Sequence, residues 1–317
     1  MACSTNDDAA VLTEQTIPGV TEAAFYQVNI EENIIYAEGL SHESLNSENY
    51  TTMPLKLDVY TPINDKINRP VFMFIHGGAF ANGSKKQAAI VNIANYFASR
   101  GWVFISIDYR LLGDKGTVPP EWAAFASTLP VSDEDKASFN AMYPAQRDAK
   151  AALRWIVANK ARYNINTNFI TVGGASAGAN TAKGIVVSEY NDFTNEITMA
   201  QDPTLATTNL NETYQVQTLV DFWGGQSVTD AFQAVYNRNL FDSTDPVLYK
   251  AHGTEDFTVP FSSALELKEI YDAIGVTMKL DTLVGVGHGN FNATLNGKRL
   301  EELAFEFIVE QQNLTVE

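Results

Sequence analysis

One stretch of the sequence, residues 169–180 (FITVGGASAGAN), limits what the chain can fold into. Its first half is a β-branched apolar run, which predicts a buried strand, and a helix-compatible segment follows it. Between them lies the pattern G-x-S-x-G, with Gly174 and Gly178 on either side of Ser176. A turn this tight leaves no room for side chains beside the serine, whose own backbone is strained. The pattern therefore predicts a strand–turn–helix unit that lifts the Ser176 hydroxyl to the N-terminus of a helix.

A serine hydroxyl is a weak nucleophile, and it needs a neighbouring base and an acid that orients this base. The sequence has four histidines. His288 lies between glycines after the last predicted strand, on a loop that can bring it to Ser176. His76 and His252 each stand at a strand end before a glycine, where an imidazole usually braces a loop, and His42 lies in a polar segment. We therefore expect His288 to be the base.

The acid that would orient His288 is less constrained by the sequence. Asp256 follows the predicted strand that precedes the last one, which makes it the favoured candidate. Glu255 is its direct competitor, whereas Asp221 and Asp281 lie within or near strand ends and fit less well. The sequence alone thus predicts Asp256 and leaves Glu255 open.

A second turn, residues 76–80 (HGGAF), follows an early apolar run, Val71–Ile75. Its small residues expose backbone N–H groups. Together with the N–H of Ala177, these groups can hold an oxyanion that develops on a substrate carbonyl.

Strand-like and helix-like segments alternate along most of the chain. We predict a half-buried edge strand over Leu55–Tyr60 and helices over Ala88–Ser99, Ala145–Tyr163 and Phe261–Ile274. Two further strands are predicted to be buried, Val71–Ile75 and Trp102–Ile107. The remaining predicted strands are Phe169–Gly173, Val216–Phe222, Val247–Ala251 and Thr277–Val284. This alternation predicts an α/β fold, a mostly parallel sheet flanked by helices, with functional residues beyond the C-terminal ends of the strands.

Two segments interrupt this pattern, residues 111–143 and residues 189–213. The first is long for a loop, which predicts a lid-like or substrate-binding insertion, and its acidic cluster Asp133–Asp135 is expected to be a solvated face. It carries more large aromatic groups than an exposed loop usually has. We expect several of them to line a pocket for short or aromatic acyl groups, although simple packing on the main domain is the alternative. The candidate substrate-binding residues are Trp122, Phe125, Phe139 and Tyr143, together with Trp223 at a strand end.

Composition excludes several classes of function. The net charge of −17 argues against binding to nucleic acid or to an anionic membrane surface and suits a neutral substrate. No apolar run is long enough to span a membrane. No cysteine or histidine cluster has the spacing of zinc ligands, so we expect neither a metal nor an organic cofactor.

The N-terminus stands apart from the rest. Residues 1–20 are expected to form a flexible tether, and residues 21–317 a single domain. Met1–Asp8 resembles the start of a mature bacterial lipoprotein, in which Cys3 would carry the lipid and hold the protein in the periplasm or at the cell surface. The alternative is an ordinary terminus of a cytoplasmic protein with an incidental cysteine.

Several motifs occur jointly and in one order: residues 76–80, 108–111 (DYRL), 174–178, 252–260 (HGTEDFTVP) and 287–289 (GHG). Together with Gln146, Asp148 and Trp155, they resemble the α/β-hydrolase carboxylesterases, in the branch of hormone-sensitive-lipase-like and feruloyl or acetyl-xylan esterase-like enzymes. The order serine, aspartate, histidine is that of this fold. The resemblance implies an α/β-hydrolase fold, Ser176 as nucleophile, His288 as base and Asp256 as acid. It also implies oxyanion donors at Gly78, Ala79 and Ala177.

The sequence departs from the usual His-Gly-Gly-Gly form of these enzymes at one position, because Ala79 replaces the third glycine. The resemblance implies hydrolysis of short-chain or aromatic esters through an acyl-enzyme. Feruloyl, acetyl-sugar and polyester substrates, small or polymer-borne, fall within this class. The alternatives are a serine peptidase or amidase of the same fold and a non-catalytic binding module.

Overall fold

The computed structural model describes residues 16–317. The predicted lipid anchor at Cys3 and residues 1–15 of the predicted tether lie outside this range. The end of that tether, Gly19–Val20, instead pairs in parallel with Thr315–Val316 near the C-terminus. The N–H of Thr21 also donates to Arg100 O at 3.0 Å, so the chain is fixed from this point on.

The described part of the chain contains twelve strands and eight α-helices. The strands are β1 (Gly19–Val20), β2 (Val28–His42), β3 (Tyr50–Pro62), β4 (Arg69–Ile75), β5 (Val103–Ile107), β6 (Ile165–Ala175), β7 (Thr218–Phe222), β8 (Val247–Gly253), β9 (Met278–Leu283), β10 (Thr294–Leu295), β11 (Lys298–Arg299) and β12 (Thr315–Val316). The helices are α1 (Ala88–Ala98), α2 (Pro120–Thr128), α3 (Asp133–Ala158), α4 (Lys160–Tyr163), α5 (Ala177–Val187), α6 (Ser227–Tyr236), α7 (Ser262–Ile274) and α8 (Leu300–Gln311). None of the helices in residues 16–317 is long and apolar enough to cross a membrane.

Eight of the strands form one sheet in the order β2-β3-β5-β4-β6-β7-β8-β9. The pairs β2–β3 and β3–β5 are antiparallel and the other pairs are parallel, which confirms the predicted mostly parallel sheet. The prediction of an edge strand over Leu55–Tyr60 is wrong, since β2 covers the outer side of β3. The alternation of apolar and polar residues also predicts that one side of this strand faces solvent. Asp58 on that side is instead buried, and its carboxylate lies 3.4 Å from the ammonium group of Lys85.

Both faces of the sheet are apolar and covered by helices. In β4, Val71, Met73 and Ile75 belong to one core, and Phe72 and Phe74 to the other. The first core packs against α3, α5, α6 and α7, and the second against α1 and α8. Since β4 to β9 run parallel, their C-terminal ends meet at one edge of the sheet, where a site can assemble.

The insertion 111–143 is largely helical rather than an irregular loop, because it contains α2 and the first turns of α3. The predicted helix start at Ala145 is therefore wrong. The helix begins at Asp133, where the hydroxyl of Ser132 accepts a hydrogen bond from Asp135 N at 3.1 Å. The exposed acidic residues 133–135 lie in this first turn, where negative charge is favoured. Pro144, which looks like a helix boundary in the sequence, lies inside the helix.

Candidate active site

Ser176 is the single residue between β6 and α5. Its backbone has φ 53° and ψ −121°, a strained conformation for a residue with a side chain. A Cβ at Gly178 would lie 2.1 Å from Ile75 O, and one at Gly174 would lie 2.4 Å from the carbonyl carbon of Gly178, so both glycines are required. The Ser176 side chain makes no capping hydrogen bond to α5, which leaves its hydroxyl available for chemistry.

His288 and Asp256 both reach this serine turn from the neighbouring strand ends. Nε2 of His288 lies 2.9 Å from Oγ of Ser176, and Nδ1 lies 2.7 Å from Oδ2 of Asp256. The other carboxylate oxygen of Asp256 accepts the backbone N–H groups of Thr258 at 2.9 Å and Val259 at 2.8 Å. The structure thus brings together the three residues that the sequence predicted, in one chain of hydrogen bonds.

The environment of Asp256 keeps this carboxylate ionised. Burial alone would raise its pKa, but the hydrogen bonds from His288, Val259 and Thr258 outweigh burial and hold the pKa below its usual value. A carboxylate that stays charged can orient the imidazole of His288 and stabilise its protonated form.

The competing acids are placed elsewhere. Glu255 is exposed although it neighbours Asp256 in the chain. Asp281 accepts a hydrogen bond from the hydroxyl of Tyr249 at 2.8 Å. Of these three carboxylates, only that of Asp256 is hydrogen-bonded to His288.

The predicted oxyanion turn lies directly against the serine. A Cβ at Gly77 would be 3.2 Å from the Cβ of Ser176. Gly78 has φ +124°, and a Cβ there would lie 2.0 Å from a backbone oxygen, so this position also requires glycine. Ala79 follows with φ 55°. Within residues 16–317, the N–H groups of Gly78, Ala79 and Ala177 donate no hydrogen bond, which leaves three donors near Ser176.

Residues of the DYR motif hold this turn in place. The hydroxyl of Tyr109 donates to His76 O at 3.0 Å, and the rings of these two residues stack with centroids 4.5 Å apart. The guanidinium of Arg110 donates to both carboxylate oxygens of Asp148, which ties the segment that carries Tyr109 to α3. The motif was visible in the sequence, but its bracing role depends on contacts that only the fold creates.

A cleft of about 380 Å³ opens above Ser176 and His288. One wall is aromatic, because Trp223 and Phe291 pack edge to face with ring centroids 4.9 Å apart. The remaining lining residues are Gly77, Gly78, Ala79, Asn82, Gln87, Ala175, Thr258 and Gly289. Four of the lining residues were not predicted from the sequence: Asn82, Gln87, Thr258 and Phe291. Two of these were within reach of a sequence-based prediction, because Thr258 closely follows Asp256 in the chain and Phe291 closely follows His288.

The four aromatic residues predicted from the insertion do not line this cleft. Trp122 and Tyr143 are fully buried, and Trp122 packs on Phe139, Tyr143 and Phe193 in the core beside α3. Phe125 is half-buried against Phe139. These side chains join the insertion to the main domain, as in the alternative that the sequence left open. Of the five predicted substrate-binding residues, only Trp223 lies in the cleft.

Asp221, the fourth candidate acid, belongs to a buried ion cluster below the cleft. Its carboxylate oxygens lie 2.8 Å from Lys250 Nζ and 3.0 Å from Lys183 Nζ. The two lysines also donate to Gly224 O and Gly225 O, each at 2.6 Å. Burial would raise the pKa of Asp221, but the two ammonium groups hold it far below its usual value. Burial lowers the pKa of Lys250 to about 8. The cluster fixes the loop that carries Trp223, whose own φ is 45°.

Comparison with known proteins agrees with this arrangement. The sequence model of the carboxylesterase family matches residues 37–264, which include β3 to β8, the serine turn and Asp256. The chain belongs to the carboxylesterase family. His288 lies beyond the matched stretch, so its assignment depends on the geometry described above.

The curated relatives share only about a quarter to a third of their aligned residues with this chain. A probable isoprenylcysteine methylesterase of rice is 24% identical over 78% of this chain and 58% of its own length. Human cocaine esterase is 34% identical over 42% of this chain and 21% of its own length. The chain therefore spans only part of the length of the curated relatives it matches.

Solved structures share the fold. A thermophilic esterase of Thermogutta terrifontis with bound propionate aligns with a TM-score of 0.60 and 22% identity, over 90% of this chain and 94% of that one. A truncated carbohydrate esterase from gut microbiota aligns with a TM-score of 0.57 and 20% identity, over 94% and 100%. These likenesses support an α/β-hydrolase fold for this carboxylesterase-family chain.

Proposed function

We propose that this protein is a serine carboxylic-ester hydrolase. The observation that carries the proposal is the continuous chain of hydrogen bonds from Ser176 through His288 to Asp256. His288 Nε2 takes the proton of the Ser176 hydroxyl as its oxygen attacks the ester carbonyl carbon, and the backbone N–H groups beside the serine hold the oxyanion. The protonated imidazole then gives its proton to the departing alcohol, which leaves an acyl-serine. His288 then takes a proton from a water molecule as its oxygen attacks the acyl carbon. The bond to Ser176 Oγ breaks, Oγ takes the proton back from His288, and the acid is released.

The proposed substrates are esters of short-chain or aromatic acids, small or carried on a polymer. The cleft is only about 380 Å³ and is open to solvent, and the aromatic wall of Trp223 and Phe291 suits a small acyl or aryl group. Among the proteins that share this fold are an esterase with bound propionate and a carbohydrate esterase. A short-chain acid and an ester on a carbohydrate both belong to the proposed substrate class.

A fluorophosphonate probe tests the mechanism directly. We expect the wild-type protein to be labelled stoichiometrically at Ser176 and the Ser176→Ala variant to remain unlabelled. The related Thermogutta esterase 2 is phosphorylated by paraoxon. Absence of labelling in a folded wild-type protein would instead favour a non-catalytic binding module.

A substrate panel then separates the chemistries. Matched p-nitrophenyl esters and p-nitroanilides of acetate, butyrate and octanoate distinguish an esterase from an amidase. Feruloyl, acetyl-sugar and aromatic polyester substrates identify the natural class. The proposal requires esters to exceed the matched anilides in kcat/KM, and the opposite order would make this protein an amidase.

A further inference from the structure

Two imidazoles lie next to the same oxygen of Asp256. His288 Nδ1 is 2.7 Å from Oδ2, and Nε2 of His252, at the end of β8, is 3.2 Å from it. The same Nε2 is 2.9 Å from the carbonyl oxygen of Val259, which lies on the turn that begins at Asp256. His252 therefore contacts both ends of the turn that carries the proposed catalytic acid.

The contacts of His252 determine where its proton lies. A carboxylate oxygen and a carbonyl oxygen are both acceptors, so the nitrogen that faces them, Nε2, has to carry the hydrogen. The opposite nitrogen, Nδ1, is buried and has no hydrogen-bond partner within residues 16–317. His252 is thus arranged as a neutral imidazole with an Nε2–H donor.

The surroundings of His252 favour the neutral form of its imidazole. Burial lowers its pKa, and the nearby Lys250 ammonium lowers it further, against the opposing effects of Asp221 and Asp256. The ring of Phe261 packs edge to face on the imidazole, with ring centroids 5.9 Å apart, and it adds no charge. The imidazole consequently stays neutral over the pH range in which a serine hydrolase works.

We infer that His252 is a positioning residue for Asp256: its Nε2–H, hydrogen-bonded to Val259 O, fixes the turn that carries Asp256, and the same nitrogen lies 3.2 Å from the carboxylate oxygen that faces His288. This inference rests on the proposed function, because it assigns His252 a task in the same hydrolysis. Asp256 Oδ1 is already fixed by two backbone N–H groups. The contact with His252 completes the restraint, since it acts on the oxygen that faces His288.

Two amide variants of similar polarity separate a donor role from simple packing. In His252→Gln, the side-chain nitrogen reaches roughly as far as Nε2, whereas in His252→Asn the shorter side chain ends near Nδ1. With p-nitrophenyl acetate, we expect the Gln variant to retain kcat within about threefold of the wild type. We expect the Asn variant to lose about tenfold or more in kcat, with KM changed by less than about twofold.

The pH profile provides a readout that packing alone would not move. The Nε2–H group of His252 lies beside Oδ2 and stabilises its negative charge, so loss of this group makes the carboxylate more basic and favours protonation of the Asp256–His288 pair. The acid limb of kcat/KM should therefore move to higher pH in the Asn variant and stay in place in the Gln variant. Equal kcat losses in both folded variants, or an unchanged acid limb in the Asn variant, would overturn the inference.

A measurement on the wild-type protein keeps the inference testable if a variant fails to fold. Nitrogen-15 NMR of the histidine-labelled protein should show His252 as the Nε2–H tautomer from about pH 6 to pH 9, and an Nδ1–H tautomer would overturn the inference. The wild-type turnover, measured first, reports separately on the proposed function. An inactive, unlabelled wild type would contradict both statements, whereas an active wild type with an unaffected Asn variant would contradict only the role of His252.

Discussion

Oγ of Ser176 lies 2.9 Å from Nε2 of His288, although 112 residues separate them in the chain. The serine follows β6 and the histidine follows β9, which is the third strand beyond β6 in the sheet. At about 4.8 Å per strand, the histidine loop has to cross roughly 14 Å to reach the serine. Hydrogen bonds from Glu255 N to Val286 O and from Gly285 N to the Thr254 hydroxyl support this loop as it crosses.

Replacement of Ser176 by alanine tests the nucleophile. We expect kcat to fall by at least about a thousandfold, because the proposed attacking oxygen is removed. The free energy of unfolding should change little, since the hydroxyl caps no helix and its neighbours are already small. Ester kinetics and thermal unfolding on the same preparation provide the measurement, and retention of a tenth of the activity would exclude Ser176 as nucleophile.

Asp256 and Glu255 offer a matched pair for the acid. Asp256→Asn should lower kcat/KM by orders of magnitude, because an amide in place of the carboxylate favours the wrong tautomer of His288. Glu255→Gln removes the same charge one residue away from an exposed side chain, and we expect a change of less than about tenfold. Kinetics of the two purified variants, with circular dichroism as the folding control, decide between them. The opposite ranking would move the acid to Glu255.

The parallel sheet and the three proposed catalytic residues could be predicted because each depends on a local pattern. Apolar runs predicted the strands, and the small residues on either side of Ser176 predicted the tight turn that carries it. The cleft wall could not be predicted in this way, because Phe291 and Trp223 meet only when the loops after β7 and β9 converge. Charged residues inside the fold were a further difficulty. Asp58 and Asp221 interrupt the apolar residues of predicted strands, and each is buried against a lysine that is distant in the chain.

The aromatic residues of the insertion are expected to determine stability rather than specificity. Trp122→Ala removes a fully buried ring, and it should cost about 3 to 5 kcal/mol in the free energy of unfolding. The Trp122→Ala variant should show the same preference as the wild type among p-nitrophenyl esters of increasing chain length. Phe291→Ala is the comparison, because Phe291 lines the cleft and its loss should shift the preference toward longer or bulkier acyl groups. Urea unfolding and a chain-length series measure both effects, and a changed preference in Trp122→Ala would return that residue to the substrate pocket.

Removal of the charge of Asp221 should make stability depend on pH in a new way. In the wild-type protein, the lowered pKa of Asp221 stabilises the fold above about pH 3.8, the ordinary value, and this contribution is lost as the pH falls below it. In Asp221→Asn, two buried lysine ammonium groups keep no carboxylate partner, which should cost about 3 to 5 kcal/mol near neutral pH.

The sign of the pH dependence distinguishes this explanation from a simple packing defect. The pKa of Lys250 is already lowered to about 8 in the wild type, and loss of Asp221 lowers it further. The unfolded chain then binds more protons than the folded chain up to the ordinary lysine value, so the variant should gain stability relative to wild type as the pH rises from 6 to 9. Urea unfolding at pH 6, 7.5 and 9 provides the measurement, and Asp65→Asn, which makes the same change at an exposed position, is the control. A stability deficit that stays constant with pH would show that the two lysines do not carry the effect.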